Sequence, residues 1–154
     1  MTEVSVRIHI AAPRDAVFAA AADHETFLRS ADGATTARIV RPGRPAPSGL
    51  GCFREVSVRG KVRYVEEITA WDPPVEFEYT IRRTSLPLRH AGSRLRFTPR
   101  DGGTDVEWTS RFTVPIPLLG RLLERRAKRL YENAFGALLA EAKARLEAAT
   151  PGRP

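Results

Sequence analysis

The chain opens with a regular alternation of apolar and polar residues. This period of two predicts a β-strand with one buried face, because successive side chains of a strand point to opposite sides of a sheet. Two short helices are expected next. Pro13 suits the first turn of a helix over the alanine-rich residues 14–22, and Asp23 can cap a second helix that continues to Leu28. The alternating apolar positions are Val4, Val6, Ile8 and Ile10.

The middle of the chain predicts a nearly continuous antiparallel sheet. A strand over 34–40 is followed by a loop rich in Pro and Gly over 41–51, and most of the later strands are separated only by tight turns. These turns are centred on Gly60, on residues 72–74 and on residues 101–103. The predicted strands after the loop are 52–59, 62–71, 75–83, 91–98 and 104–113.

A helix pattern without proline runs from Leu118 to Ala149. Its apolar residues recur at a spacing of three to four, so one side of the helix is expected to pack on another element. A curved antiparallel sheet has to cover its apolar face, and this helix is the only predicted element long enough. The two leave a space between them, and apolar spaces of this kind bind ligands. The apolar positions are Leu119, Leu123, Leu130, Ala134, Leu138, Ala142 and Leu146.

Composition agrees with one globular domain. The chain has 154 residues, of which 42% are hydrophobic and 28% charged, so we expect a single domain over 1–150 and a disordered tail over 151–154. The single Cys52 cannot form an intramolecular disulfide and fits a reducing compartment. The start of the chain does not follow a secretory signal pattern, and no apolar run approaches the ~18 residues of a membrane span. We therefore expect a cytoplasmic location.

Three segments resemble the START-like (SRPBCC) superfamily of polyketide cyclases, dehydrases and lipid-transport proteins. They are residues 6–18, Val-Arg-Ile-His-Ile-Ala-Ala-Pro-Arg-Asp-Ala-Val-Phe, residues 67–74, Glu-Ile-Thr-Ala-Trp-Asp-Pro-Pro, and residues 102–108, Gly-Gly-Thr-Asp-Val-Glu-Trp. The resemblance covers essentially the whole chain. It implies the α+β helix-grip fold, in which a curved antiparallel sheet of about seven strands wraps around a long C-terminal helix, with two short helices after the first strand. The motifs are structural, and the superfamily hosts many activities.

Strand parity predicts that Arg54 and Glu66 are neighbours on the inward face of the sheet. A turn centred on Gly60 pairs position 54 with 66 and position 56 with 64. A charge on an apolar face is unfavourable unless it is matched, and arginine with glutamate is a good match. Two interpretations stay open. The pair is either a structural ion pair, or a working pair in which Arg54 holds a ligand carbonyl or carboxylate and Glu66 acts as a general base.

The other inward side chains are mostly apolar or aromatic. For most of them a filled core is the simplest interpretation. Tyr64, Tyr79 and Trp108 differ, because each carries a polar atom that a polar ligand can satisfy. The residues expected to contact a ligand are Val56, Phe77, Tyr79, Ile81, Leu95, Phe97, Trp108, Ser110, Leu130 and Ala134.

Three functions are compatible with this pattern. The first is binding of a small hydrophobic or aromatic molecule, polyketide- or lipid-like, between the sheet and the C-terminal helix. The alternative is a polyketide aromatase/cyclase that closes an aldol ring and removes water without a cofactor, with Glu66 as base, Arg54 as enolate stabiliser and Tyr64 or Tyr79 as hydroxyl donor. The third is a regulatory or stress-response protein that acts through its surface. An open Arg54–Glu66 pair favours the enzyme, a closed pair favours a carrier, and a filled cavity favours the surface role.

Motifs for metals and nucleotides are missing from the sequence. The histidines His9, His24 and His90 lie on separate segments, so we expect no metal and no cofactor, and we expect His90 in a solvent-exposed rim loop.

The formal net charge is +7, and basic residues are densest on the last helix. This basic cluster is either a solvated helix face or a contact for an acidic carrier protein or an anionic surface. Nucleic-acid binding is not expected, because Tyr131 alone could stack beside the cluster. We expect a monomer or a dimer. The cluster consists of Arg121, Arg125, Arg126, Lys128 and Arg129.

Overall fold

A computed structural model of the chain describes residues 1–149, and the predicted tail over 151–154 lies outside the described residues. The α+β helix-grip prediction is confirmed, and the elements follow the predicted order. They are β1 (Thr2–Ile10), α1 (Arg14–Ala22), α2 (His24–Phe27), β2 (Thr35–Arg41), β3 (Phe53–Val58), β4 (Val62–Asp72), β5 (Glu76–Thr84), β6 (Arg89–Arg100), β7 (Gly103–Thr113) and α3 (Gly120–Ala149).

The seven strands form one antiparallel sheet in the order β1-β7-β6-β5-β4-β3-β2. The predicted β3–β4 register is confirmed, with Arg54 opposite Glu66 and Val56 opposite Tyr64. The turn that sets this register places Arg59 at φ 53° and Gly60 at φ 65°. Two consecutive left-handed residues match the right-handed twist of a hairpin, which is why a glycine is suited to this turn.

Helix α3 packs on β1, α1 and β7 through its C-terminal half. The predicted burial of Leu138 and Ala142 is confirmed, whereas Leu130 is 70% exposed and Ala134 is also exposed. The prediction that Leu130 and Ala134 lie on the packed, inward side of the helix is therefore wrong. Tyr131 points inward. Leu130 is the preceding residue, so its side chain lies about 100° around the helix from that of Tyr131.

The start of α3 is fixed by contacts with the ends of two strands. The two oxygens of Glu124 accept hydrogen bonds from the Thr2 hydroxyl at 2.7 Å and from the Val114 backbone N–H at 2.9 Å. A Cβ on Gly120 would lie 2.5 Å from the Val114 carbonyl oxygen, so only glycine fits there. The helix consequently begins at Gly120 and not at the predicted Leu118. Across residues 1–149, no helix combines the length and apolar character that a membrane crossing requires.

Candidate functional site

Arg54 and Glu66 form a closed ion pair inside the molecule. The Nε of Arg54 donates to Glu66 Oε2 at 2.7 Å, and the side chains are 1% and 9% exposed. The guanidinium also donates from Nη1 to Nδ1 of His24 at 2.9 Å, and it lies over the ring of Tyr79 at 4.5 Å from the ring centre. A buried arginine needs this many partners because its charge is removed from water. Both side chains face inward, as the register requires.

His24 is a member of this cluster that the sequence analysis missed. Its Nδ1 accepts from Arg54, so Nε2 carries the proton and donates to the Ser48 carbonyl oxygen at 3.0 Å. Burial and the neighbouring Arg54 charge lower the pKa of His24 to about 3. The neutral ring therefore connects α2, β3 and the Pro-rich loop. No local pattern could reveal this contact, because parity within a strand does not show which helix residue reaches it.

The polar atoms of the inward aromatic residues bind one another. Trp108 donates from Nε1 to the Tyr79 hydroxyl at 3.0 Å, and the hydroxyls of Tyr64 and Tyr131 are 3.1 Å apart. Burial raises the pKa of Tyr79, Tyr64 and Tyr131, so all three phenols keep their protons at neutral pH. Tyr79 and Trp108 therefore do not depend on a ligand for a partner. Tyr131, which the sequence analysis did not place in the site, joins the helix to the sheet.

His90 lies in β6 and is half-buried, which corrects the prediction of an exposed rim loop. Its Nδ1 accepts from the Ile81 backbone N–H at 3.0 Å, at the point where β5 and β6 separate. The other nitrogen, Nε2, therefore carries the proton and faces the hydroxyls of Ser93 at 2.8 Å and Ser110 at 3.1 Å. Burial lowers the pKa of His90 to about 4. Because Nε2 already carries a proton, it cannot act as the base that activates either serine.

One part of the interior is closed by aromatic packing. The rings of Trp108 and Phe135 stack at 3.8 Å between centres, and Phe18 makes edge contacts with Phe77 and Phe97 at 5.8 and 5.2 Å. Predicted ligand-contacting residues in this part are at most 1% exposed, so they fill the core that supports the site. These residues are Phe77, Leu95, Phe97 and Trp108.

The other part of the interior lies beneath the N-terminal half of α3, and we call it the mouth. Leu123, Ala127 and Tyr131 recur every four residues on one side of the helix, and Tyr131 reaches across to Tyr64. Predicted site residues Val56, Tyr64 and Glu66 form its inner wall. The half-buried apolar residues around it are Val58, Val62, Ile81, Leu88, Leu123 and Ala127.

Two clefts lie on the surface of the molecule. One of about 550 Å³ lies under the β5–β6 loop against the outer face of β3 and β4, where Glu55, Arg63 and Val65 line it, and it shares Ile81 and Leu88 with the border of the mouth. The other, of about 630 Å³, lies among charged residues on the outer face of β1, β6 and β7. Within 1–149, no three or more His, Cys, Asp or Glu residues are placed to hold a metal ion.

Solved structures share this fold at low sequence identity. A protein from Thermus thermophilus is 24% identical with a TM-score of 0.76, over 97% of this chain and 100% of its own. A protein from Thermobifida fusca is 19% identical with a TM-score of 0.75, over 100% and 99%. A START superfamily protein from Mycobacterium smegmatis is 15% identical with a TM-score of 0.70, over 96% and 99%. These likenesses show the fold alone.

Sequence comparison gives the family. No curated protein matches the chain. The family described as polyketide cyclase / dehydrase and lipid transport matches residues 1–147, which is nearly the whole of the described chain. Its helix-grip architecture is the one described above. The chain belongs to the polyketide cyclase / dehydrase and lipid transport family.

Proposed function

We propose that the chain binds a small hydrophobic or aromatic molecule, polyketide- or lipid-like, at the mouth. The observation that carries this proposal is the half-buried state of the apolar residues there, from Val58 and Val62 on the sheet to Leu123 on the helix. Covering apolar surface stabilises a complex by roughly 25 cal/mol per Å². An apolar molecule between sheet and helix therefore gains affinity where the protein's own side chains leave the surface incompletely covered.

The tyrosine pair gives the mouth one polar contact. The hydroxyls of Tyr64 and Tyr131 hold two protons, and their mutual hydrogen bond uses one of them. The second proton is free to be donated to a carbonyl or hydroxyl oxygen of the ligand. A ligand with one oxygen and an otherwise apolar body suits this arrangement, because one directed hydrogen bond fixes its orientation.

The closed Arg54–Glu66 pair favours a carrier over a cyclase. An aldol cyclase would need Glu66 to take a proton from carbon and Arg54 to stabilise the enolate that forms. The guanidinium is already shared by Glu66, His24 and the ring of Tyr79. Releasing it toward a substrate would leave the buried carboxylate without its partner, which is unfavourable by several kcal/mol.

Binding of the neutral fluorescent probe N-phenyl-1-naphthylamine tests this function. Because the probe has no charge, the basic surface of α3 does not attract it. We expect wild-type protein to bind it and Leu123→Trp, which fills the mouth, to weaken binding about tenfold. The matched control is Leu122→Trp on the adjacent position, which is 56% exposed and should bind as wild type does. Equal binding by both variants, or none by wild type, would contradict the proposal.

A second experiment separates the carrier from the cyclase. Glu66→Gln keeps the shape of the side chain and removes its ability to act as a base. We expect this variant to retain probe binding within about twofold, and wild type to convert no linear poly-β-ketone thioester into an aromatic product. An aromatic product formed by wild type and absent with Glu66→Gln would establish the cyclase instead.

A further inference from the structure

Large apolar side chains are exposed around the start of α3. Leu118 is fully exposed at 103%, Leu119 at 55% and Leu122 at 56%. Leu118 also has φ 64°, a left-handed conformation that is unfavourable for a residue with a Cβ. Neither core packing nor backbone preference accounts for a leucine at this position. Clustered exposed apolar side chains of this kind mark an interaction surface.

These leucines lie at the same end of the molecule as the mouth. Neighbouring strands of the sheet run in opposite directions, so the end of one strand lies beside the start of the next. The ends of β7, β5 and β3 and the starts of β6 and β4 are therefore all at one end of the sheet. The connection that carries Leu118, the loop that carries Leu86, and the turn at Gly60 therefore share one end. Leu86 is 38% exposed. The route into the mouth is consequently bordered by apolar side chains that face solvent.

Several arginines on the outer face of the sheet have an acidic partner, as in the pairs Arg38–Glu55, Arg82–Glu67 and Arg96–Glu76. On α3, by contrast, Arg125, Arg126 and Arg129 are in no ion pair with any residue of 1–149. The ion pairs of the described chain are Arg7–Glu107, His9–Asp105, Arg38–Glu55, Arg54–Glu66, Arg82–Glu67, Arg96–Glu76, Arg100 with Asp101 and Asp105, Lys128–Glu132 and Lys143–Glu147.

The exposed leucines and free arginines occupy one side of the helix. Leu119, Leu122, Arg126 and Arg129 follow one another at a spacing of three or four residues, which places them on a common face. Leucines next to arginines on one face are typical of helices that lie in a membrane interface, where the apolar side chains enter the acyl boundary and the basic ones contact phosphate groups. A protein partner would instead need a shaped acidic surface around a protruding Leu118.

We infer that the end of the molecule around the mouth docks on a bilayer that contains anionic lipids. Leu118, Leu119 and Leu122 enter the boundary between headgroups and acyl chains, and Arg125, Arg126 and Arg129 contact the lipid phosphates. Docking in this way places the mouth against the bilayer, so that an apolar ligand can enter it without crossing water. The inference goes beyond ligand binding, because attachment to lipid does not require an occupied mouth.

Sedimentation with lipid vesicles tests the inference on the full chain. We expect binding to vesicles of phosphatidylcholine mixed with phosphatidylglycerol and much weaker binding to phosphatidylcholine alone. Binding should fall as NaCl rises from about 0.05 M to about 0.5 M, because salt screens the attraction to anionic headgroups. Absence of binding to the mixed vesicles at low salt would overturn the inference, and an acidic protein would then be the expected partner of this surface.

Two variants test the contacts, each with a matched control. Leu118→Gly should weaken vesicle binding about fivefold without lowering stability, because glycine tolerates the left-handed backbone. Arg125→Ala combined with Arg129→Ala should weaken it about 25-fold, since each basic residue near the surface contributes about fivefold. The controls are Leu50→Gly, at the opposite end of the sheet, and Arg145→Ala, near the other end of α3; both residues are exposed and should leave binding unchanged.

Two further outcomes would overturn the inference. If the arginine variant loses binding while Leu118→Gly binds as wild type does, the contact is purely electrostatic and the leucines do not enter the bilayer. If wild type sediments as a dimer that Leu118→Gly converts to a monomer, a second copy of the chain covers the leucines. Probe binding at the mouth is measured separately, so failure of docking and failure of ligand binding are distinguishable.

Discussion

The C-terminal half of α3 is packed into the core, whereas the N-terminal half leaves its leucines in water. Phe135, Leu138, Leu139 and Ala142 are at most 8% exposed. In the other half, Leu122 and Leu130 are 56% and 70% exposed, and Leu123 is half-buried. One continuous helix thus anchors the fold at one end and borders the half-buried mouth at the other. The packed core and the proposed binding region lie along different halves, so stability and ligand binding should be separable by mutation.

The buried polar groups of the interior also satisfy one another. Arg54, Glu66 and His24 form one cluster, and His90 forms another with Ser93 and Ser110. No buried side-chain nitrogen or oxygen of residues 1–149 is left without a hydrogen-bond partner. Groups that are satisfied in this way support the site, and they are less available to a substrate.

The largest effect is expected from breaking the buried ion pair at Arg54. Arg54→Ala leaves the Glu66 carboxylate buried without its partner, which should lower the free energy of unfolding by about 3–5 kcal/mol in urea titrations. Arg54→Met combined with Glu66→Leu removes both charges and should recover most of that loss. A single variant that stays as stable as wild type but no longer binds the probe would show a working pair.

Truncating α3 in each half tests the comparison directly. Phe135→Ala removes the ring stacked on Trp108 and should lower the free energy of unfolding by about 3–4 kcal/mol. Leu123→Ala should lower it by about 1 kcal/mol, because that side chain is only half-buried. Denaturant unfolding of both variants at the same pH measures the two losses. Similar losses at the two positions would mean that the mouth is packed as tightly as the core.

Acid should act through the two buried histidines. The pKa of His24 is about 3 and that of His90 about 4 in the folded chain, against 6.5 for an unperturbed histidine. The unfolded chain therefore takes up protons first, and stability falls as the pH drops below 6.5 toward these values. At pH 5 each histidine should lower the free energy of unfolding by about 2 kcal/mol relative to its value at neutral pH.

Unfolding measured at a series of pH values in single variants checks this dependence. His24→Gln and His90→Gln should each reduce the slope of unfolding free energy against pH between about 6.5 and 5 by about 1 kcal/mol per pH unit on average. The slope is informative even if a variant is less stable overall. An unchanged slope in either variant would show that the corresponding ring is not held neutral.

The smallest effect is expected at the hydrogen bond that spans the mouth. Tyr131→Phe and Tyr64→Phe each remove one hydroxyl of the pair and should lower the free energy of unfolding by about 1 kcal/mol. Because both changes break the same bond, the double variant should lose little more than either single one. Losses that simply add in the double-mutant cycle would mean that the two hydroxyls do not interact.

The order of elements and the register of the sheet were predictable from local patterns. The period of two defined the strands, and a turn at Gly60 set Arg54 opposite Glu66. Boundaries were less accurate. Strand β6 begins at Arg89 and not at residue 91, because Arg89 and His90 pair with Thr113 and Phe112 of β7 beyond a register shift at Gly92. Helix α3 begins at Gly120, where it packs against the end of β7.

By itself, the sequence determined the strands, the hairpin register, the family and the inward position of the Arg54–Glu66 pair. Only the tertiary structure decided that His24 completes that cluster, that Tyr131 reaches Tyr64, and that Leu130 faces solvent. Alternation and turn chemistry act between neighbours in the chain, so they can be recognised in a short stretch of residues. The position of a helix residue against a strand 67 residues away is set by the packing of whole elements, and periodicity carries no information about it.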